Sequence, residues 1–254
     1  MSTILKNDLN MDYKALKDEC VAWIKEWFDQ NGKGCRAVLG MSGGKDSTVA
    51  AALCAEALGA ENVIGVAMPA EGQSLNEADL ICAHLGIRYI CAPIGDIVKG
   101  FETVRSRVEE GFSNQTEQNI PPRVRMAVLY AISQSLNGRV VNTCNLSEDW
   151  VGYATRWGDS VGDFSPLGGL VVQEIRGIGH ALGIPAKWVD KVPDDGLPHS
   201  CSDEEKFGFS YETLDRYIRT GVCEDTAIKE KIDRMHRNNL FKLSMPEHFE
   251  PSGI

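Results

Sequence analysis

Residues 38–53, VLGMSGGKDSTVAAAL, constrain this chain more than any other stretch. A short apolar run ends in glycines and hydroxyls, and an alanine-rich run of helical character follows at once. A turn from strand to helix presents unpaired backbone N–H groups at the positive end of a helix dipole. Ser42, Gly43 and Gly44 would let that backbone close round a phosphate, with hydroxyl donors from Ser42 and Ser47 and a cation from Lys45. The bland alternative is a glycine-rich turn whose serine caps the helix. Two familiar phosphate motifs do not fit. The G-x-x-x-x-G-K-[ST] loop fails because Gly40 and Gly44 enclose only three residues and Asp46 stands at the Ser/Thr position. The G-x-G-x-x-G fingerprint is supplied neither here nor by GIGHALG further on. Asp46 therefore needs its own explanation. A bare carboxylate would repel a polyphosphate, whereas Mg²⁺ between them would turn it into a ligand.

The surroundings predict an α/β fold. YKALKDECVAWIKEWFDQNGKG has helical spacing and a glycine-bearing stop. RAVLGM, NVIGVAMP and RYICAPI are short apolar runs separated by helical patterns, a helix from about residue 46 to 58 and then NEADLICAHLG. This alternation implies a parallel sheet with helices on both faces. Residues 94–109 have a helical pattern, GFSNQTEQN is polar and loop-like, and PPRVRMAVLYAISQSLNG is a helix entered through its prolines. RVVNTC is a fourth parallel strand. Three further helical patterns follow a long Gly- and Asp-rich loop. No repeat or linker interrupts the chain, so a single domain over 1–254 is expected.

A formal net charge of -10 over 254 residues argues against a general nucleic-acid binder. The eight cysteines are scattered, with neither C-x-x-C pairs nor zinc spacing, which suits reduced thiols and a cytoplasmic setting. The first residues lack the order of a secretion signal, and no run has the length of a membrane span. The five histidines have no ligand spacing.

SGGKDS resembles the loop of the N-type ATP pyrophosphatases, which cleave ATP between its α and β phosphates. The block at residues 142–169, NTCNLSEDWVGYATRWGDSVGDFSPLGG, could by its residues alone be a solvated polar loop or a site for metal and a charged small molecule. It is similar to the ammonia-dependent NAD synthetase pattern T-x-x-x-x-E, T-G-F-x-T-K-x-G-D, D and P-L. NIPPRVRM and SDEEKFGFSYETLD are similar to flanking motifs of that family.

This resemblance implies the adenine nucleotide α-hydrolase-like (Rossmann-like) fold. It implies ATP-dependent amidation of deamido-NAD with free ammonia through an acyl-adenylate, in a homodimer, without nucleic acid or membrane. It puts ATP on Gly40, Met41, Ser42, Gly43, Gly44, Lys45, Asp46 and Ser47, with Gln73 and Thr143 on the adenosine side. Mg²⁺ falls to Asp46 and Glu148, deamido-NAD to Arg123, Arg156, Asp163 and Lys242, and placement of ammonia to Asp159. No glutaminase domain is expected, and none of the cysteines has a catalytic role. The first helix, with Trp23, Trp27 and Phe28, would lie near the dimer interface. Departures from the family pattern are Arg156 for lysine, Val172 for a lysine, Asp194 for Thr/Ser and Phe241 for the histidine of a His-Lys pair. Arg176, Lys187 and Lys191 are candidates to replace the cation missing at Val172. A tRNA-modifying pyrophosphatase and a non-catalytic nucleotide-binding module are the competing readings.

Overall fold

The computed structural model describes residues 11–73, 77–191 and 202–250. Helix α1 (Tyr13–Asn31) leads into β1 (Arg36–Gly40), α2 (Lys45–Leu58), β2 (Val63–Ala67), α3 (Ala78–Leu85) and β3 (Arg88–Cys91). Then come α4 (Gly95–Arg105), α5 (Asn114–Ser135), β4 (Gly138–Val140), α6 (Leu146–Val151) and α7 (Val172–Ala181). The last helices are α8 (Ala186–Val189), α9 (Asp203–Phe207), α10 (Tyr211–Thr220) and α11 (Thr226–Asn239). The four strands are parallel in the order β3-β2-β1-β4. The β-α-β alternation, the fourth strand and the coverage of both faces follow the sequence expectation.

Alternation along β1 assigns its side chains to the two faces, as a period of two requires. Ala37 and Leu39 enter the core shared with α1, α2 and α7, while Val38 enters the core under α5. Val21, Ile24 and Phe28 form the buried stripe of α1, and Asp12 caps that helix by accepting from the N–H groups of Lys14 and Ala15. A third apolar cluster, including Val172, Phe207, Tyr211, Leu214 and Ile232, joins α9, α10 and α11 to α6 and α7.

One expected boundary is wrong. The polar run GFSNQTEQN is largely helix, because Ser113 caps α5 by accepting from Thr116 N at 3.2 Å. Pro121 and Pro122 therefore lie inside α5 and not at its entry. Their missing N–H groups leave the carbonyls of Glu117 and Gln118 without helical donors, and both residues line the cleft described below.

The C-terminal helices are fastened to the α/β layers at the start of α7. Asp215 (1% exposed) accepts from Ser147 Oγ at 2.6 Å and from Gln173 N at 2.9 Å, and Ser147 Oγ accepts from Val172 N. Burial pushes the Asp215 carboxyl up to about 6, against the pull of those two hydrogen bonds. Beside it Arg219 grips Glu174 through two bonds, 2.8 Å to Oε1 and 2.5 Å to Oε2, and also donates to Gly169 O. Glu174 is only 2% exposed, so removing Arg219 leaves a buried carboxylate without its cation. We expect Arg219→Ala to lower unfolding free energy in urea by about 3 kcal/mol, the low end for a broken buried pair, since Arg219 keeps some contact with solvent. A loss near that of a surface pair, roughly 0.5 kcal/mol, would show that water screens it.

Candidate active site

In this strand order the chain leaves β1 toward β2 on one side and reaches β4 on the other. A crevice opens at the carboxyl ends of strands where the order reverses in this way. Here it is a cleft of about 1560 Å³ whose wall includes residues 40–47. Gly43 takes φ 77°, which brings the loop back over the start of α2. Ser42 Oγ accepts from Gly44 N and lies 3.2 Å from Ser47 Oγ. The residue that caps α2 is Gly44, with no side-chain hydrogen bond, so the turn is not the serine-capped helix of the bland reading. The start of α2 lines the cleft, and a helix N-terminus favours an anion there.

Lys45 does not reach outward as a phosphate cation here. It is 3% exposed, donates to Asp46 Oδ2 at 2.8 Å and lies over the Tyr211 ring at 5.8 Å. The other oxygen of Asp46 accepts from Asn145 Nδ2 at 3.3 Å, and Asn145 Oδ1 accepts from Glu148 N at 3.0 Å, capping α6. Asn145 is fully buried and ties the carboxylate of Asp46 to the backbone of Glu148. Sequence reading missed it; its only signal is an Asn followed three residues later by Glu, a capping pattern. Lost solvation and then the Asp46 charge push the Glu148 carboxyl up to about 8, with Asp203 adding and Lys45 opposing. Burial, with the same acids adding, pushes the Tyr211 phenol well above its usual range.

This is a surplus of negative charge beside the glycine loop, built from hard oxygen donors. Among the described residues no three His, Cys, Asp or Glu side chains could hold a metal by themselves. Two carboxylates beside a nucleotide's phosphates suit Mg²⁺, which keeps several waters and takes substrate oxygens.

The remaining wall carries most of the other expected residues. Gln73 Oε1 accepts from Ala70 N at 3.1 Å and from Arg125 Nη2 at 2.5 Å, while Arg125 Nε donates to Met68 O. Arg125 thus sets the position of Gln73, a task the sequence reading did not assign. Thr143 lines the cleft. Arg123 Nε donates to Arg156 O, and Arg156 Nη2 donates to Ser244 O, holding the C-terminal segment. The Arg156 guanidinium lies 5.0 Å from the Trp157 ring and 5.2 Å from that of Phe241. Lys242 reaches Gly152 O at 2.9 Å. Asp159 Oδ1 accepts from Thr155 N, and lost solvation raises its carboxyl above the ordinary value.

Asp163 does not join this group. Its carboxylate accepts from Val140 N at 2.7 Å and Tyr130 OH at 3.2 Å, and it lies outside the cleft lining. In this chain it closes the open edge of β4, so a substrate role within this cleft is withdrawn. Val172 is fully buried in the third apolar cluster, so no cation stands there. Of the candidate replacements Lys191 lines the cleft, whereas Lys187 faces Glu77 and Trp188, and Arg176 lies near enough to Lys45 to oppose its charge. Asp194 lies outside the described residues, as does Cys201; the other seven cysteines are free thiols. No helix of the described residues is long and apolar enough to cross a membrane.

Asn145→Ala should weaken Mn²⁺ or Mg²⁺ binding in the presence of ATP roughly 10–100-fold, as loss of a carboxylate's supporting partner does, while the lost cap costs about 1 kcal/mol in urea. An unchanged metal isotherm would show that Asn145 serves α6 alone. Divalent affinity should rise between pH 6 and 8.5, because Glu148 must shed its proton to bind. Glu148→Gln should flatten that rise in a calorimetric titration.

The chain matches the NAD synthase family over residues 16–248. It is 37% identical over 207 residues to the NH3-dependent NAD+ synthetase of Methanococcus aeolicus, covering 80% of each chain. To the same-named protein of Finegoldia magna it is 34% identical over 243 residues, 94% of this chain and 98% of that one. Among solved structures, NMN synthetase from Francisella tularensis superposes with TM-score 0.85 at 25% identity, covering 96% of this chain and all of the other. The NH3-dependent NAD synthetase of Campylobacter jejuni gives 0.75 at 29% identity, over 94% of this chain and all of the other. A parallel sheet with a glycine loop at its switch point, and relatives matching over most of their length, agree: the chain belongs to the NAD synthase family and is an ammonia-dependent, amide-forming ligase of NAD synthesis.

Proposed function

We propose that the cleft activates the nicotinate carboxylate of deamido-NAD with ATP, forming an acyl-adenylate that ammonia converts to the amide. The observation that carries this reading is the placement of Asp46 and Glu148 on one buried asparagine beside the glycine loop. A carboxylate oxygen of the substrate attacks the α-phosphorus, the bond from that phosphorus to the bridging oxygen breaks, and pyrophosphate leaves. Ammonia then attacks the acyl carbon and AMP departs. The loop N–H groups and the Ser42 and Ser47 hydroxyls hold the phosphates, while Asp46 and Glu148 would hold Mg²⁺, which would supply charge neutralisation for the leaving pyrophosphate. Asp159, made more basic than a free aspartate by lost solvation, suits a proton acceptor for the attacking ammonia. Arg123, Arg156 and Lys242 recognise the nicotinate nucleotide, and Gln73 and Thr143 face the adenosine of ATP. Most of the rate comes from positioning and charge, with no covalent intermediate on the protein.

A homodimer is part of this reading. Trp23 on α1 is 44% exposed beside Phe164, and Met245 and Phe249 near the end of the described chain are 77% and 85% exposed. Such apolar surface suits burial against a second copy.

A mononucleotide substrate is the second reading. The Francisella NMN synthetase superposes more closely than the Campylobacter NAD synthetase, and Asp163 is spent on the sheet edge. Both readings share the same amidation and differ only in the size of the nucleotide.

Purified protein with ATP, Mg²⁺, ammonium and deamido-NAD should give NAD, AMP and pyrophosphate in equal amounts. Competition with nicotinate mononucleotide at equal concentration tells the readings apart through the ratio of the two kcat/KM values. Asp46→Asn and Glu148→Gln should each lower kcat at least about 100-fold. Full rate in either variant would remove that residue from the metal site.

A further inference from the structure

Trp157 has no task in the reaction as described, yet its backbone is held in an unusual state. It has φ 64°, in the left-handed region that large aromatic residues rarely enter. The other non-glycine residues there among the described ones are Glu77 and Asn137, and asparagine is a natural occupant. The turn around Trp157 is over-determined. Asp159 Oδ1 accepts from Thr155 N at 2.9 Å, Thr155 O accepts from Gly158 N at 2.8 Å and from Ser160 Oγ, and Thr155 Oγ1 donates to Asn119. Gly158 sits against α5 so closely that a Cβ would lie 3.1 Å from Pro122 Cβ and 3.2 Å from Arg123 N. Strain of this kind persists where neighbours enforce it, and it gathers at ligand clamps.

Core packing does not account for the enforcement. Trp157 is 46% exposed and lines the cleft, whereas Trp188 is 4% exposed in the core. The ring rests on the Arg156 guanidinium, itself held by Phe241 and by Ser244 O. The result is a rigid, half-open indole on the wall that carries Arg123, Arg156 and Lys242, apart from the phosphate loop.

The ligand that fits this surface can be named from its charge. Nicotinate bound to ribose through its ring nitrogen is a pyridinium cation, and it stays one through activation and amidation. The indole face is the best π-donor among side chains for a cation. Adenine is neutral and gains only stacking. Arg123 and Arg156 supply counter-charge for the phosphate that arrives with the ring.

We propose that Trp157 is the platform for the pyridinium ring of the nicotinate nucleotide, aimed into the cleft by its enforced left-handed backbone. The inference rests on the proposed amidation of a nicotinate nucleotide and holds for a substrate of either size.

The test uses the full chain, with nicotinate mononucleotide, deamido-NAD and ATP as separate probes. Indole stacked on pyridinium loses fluorescence and gains charge-transfer absorption. Either nicotinate nucleotide should quench wild-type emission saturably, and ATP alone should not. Trp157→Leu should abolish that quenching and raise KM for the nicotinate nucleotide about tenfold, leaving KM for ATP unchanged. Trp157→Phe should restore much of the KM. Trp157→Gly relieves the backbone, so it should keep or raise Tm while KM stays high, which a purely structural tryptophan would not do. The proposal falls if Trp157→Leu leaves KM and quenching intact, or raises KM for ATP alone, which would make Trp157 an adenine shelf. If wild-type protein amidates neither nucleotide yet shows Trp157-dependent quenching by the mononucleotide, the platform stands and the proposed reaction falls.

Discussion

The side-chain amide of Asn145 is the contact on which the site depends. It belongs to the turn after β4, and with one group it touches the acid at the start of α2 and with the other the backbone of the acid in α6. β1 and β4 are paired strands, so the acids at their carboxyl ends are neighbours by topology. Pairing alone brings them only roughly together; the amide sets their spacing. Since Asn145 is completely buried, it cannot turn to water without leaving a buried donor and acceptor unmet.

Bringing two carboxylates together has an electrostatic cost, and the protein meets it with Lys45. A buried ammonium is unfavourable alone, but here burial and the carboxylates act on it in opposite senses, and the acids prevail: the Lys45 amine is held charged, above its usual range. The lysine in the glycine loop is therefore first a partner of Asp46. Glu148, which Lys45 offsets only in part, retains its proton more readily than a surface acid does. A dication with phosphates at the mouth of the cleft would complete the same balance, so the charge of the loop and that of the acids are parts of one arrangement.

The features that were legible in the sequence are local and periodic. The strand, glycine loop and helix at residues 38–53 announce themselves by composition, and alternating apolar runs give the parallel sheet. The residues of the block at 142–169 alone left a solvated loop and a site both open, and it is the resemblance to the NAD synthetase pattern that points to Thr143, Glu148, Arg156 and Asp159, all of which line the cleft. Most of the failures depend on a partner distant in sequence, and the exception is a local cap that the prolines masked. Ser113 made the polar run after it helical, although two prolines looked like an entrance. Asp163 reads as a site acid until its two oxygens are seen on Val140 and Tyr130. Asn145, Arg125 and Arg219 act by reaching across elements, and a φ value such as that of Trp157 leaves no trace in composition.

Arg156 and Phe241, two of the positions where the resemblance marks a departure, lie together on the cleft wall. A lysine would offer a hydrated point charge, with little reason to lie on an aromatic ring. The planar guanidinium of Arg156 stacks readily, and it lies near both Trp157 and Phe241. Arg156 and Phe241 are thus two ends of one contact, which also draws in Ser244 O and so the C-terminal segment. Val172 follows a different logic, since its side chain completes the apolar cluster that seats Tyr211 beneath the acids. The glycine loop and this stacked aromatic and guanidinium surface are thus separate parts of one cleft wall, the first held by Asn145 and Lys45 and the second by Arg156.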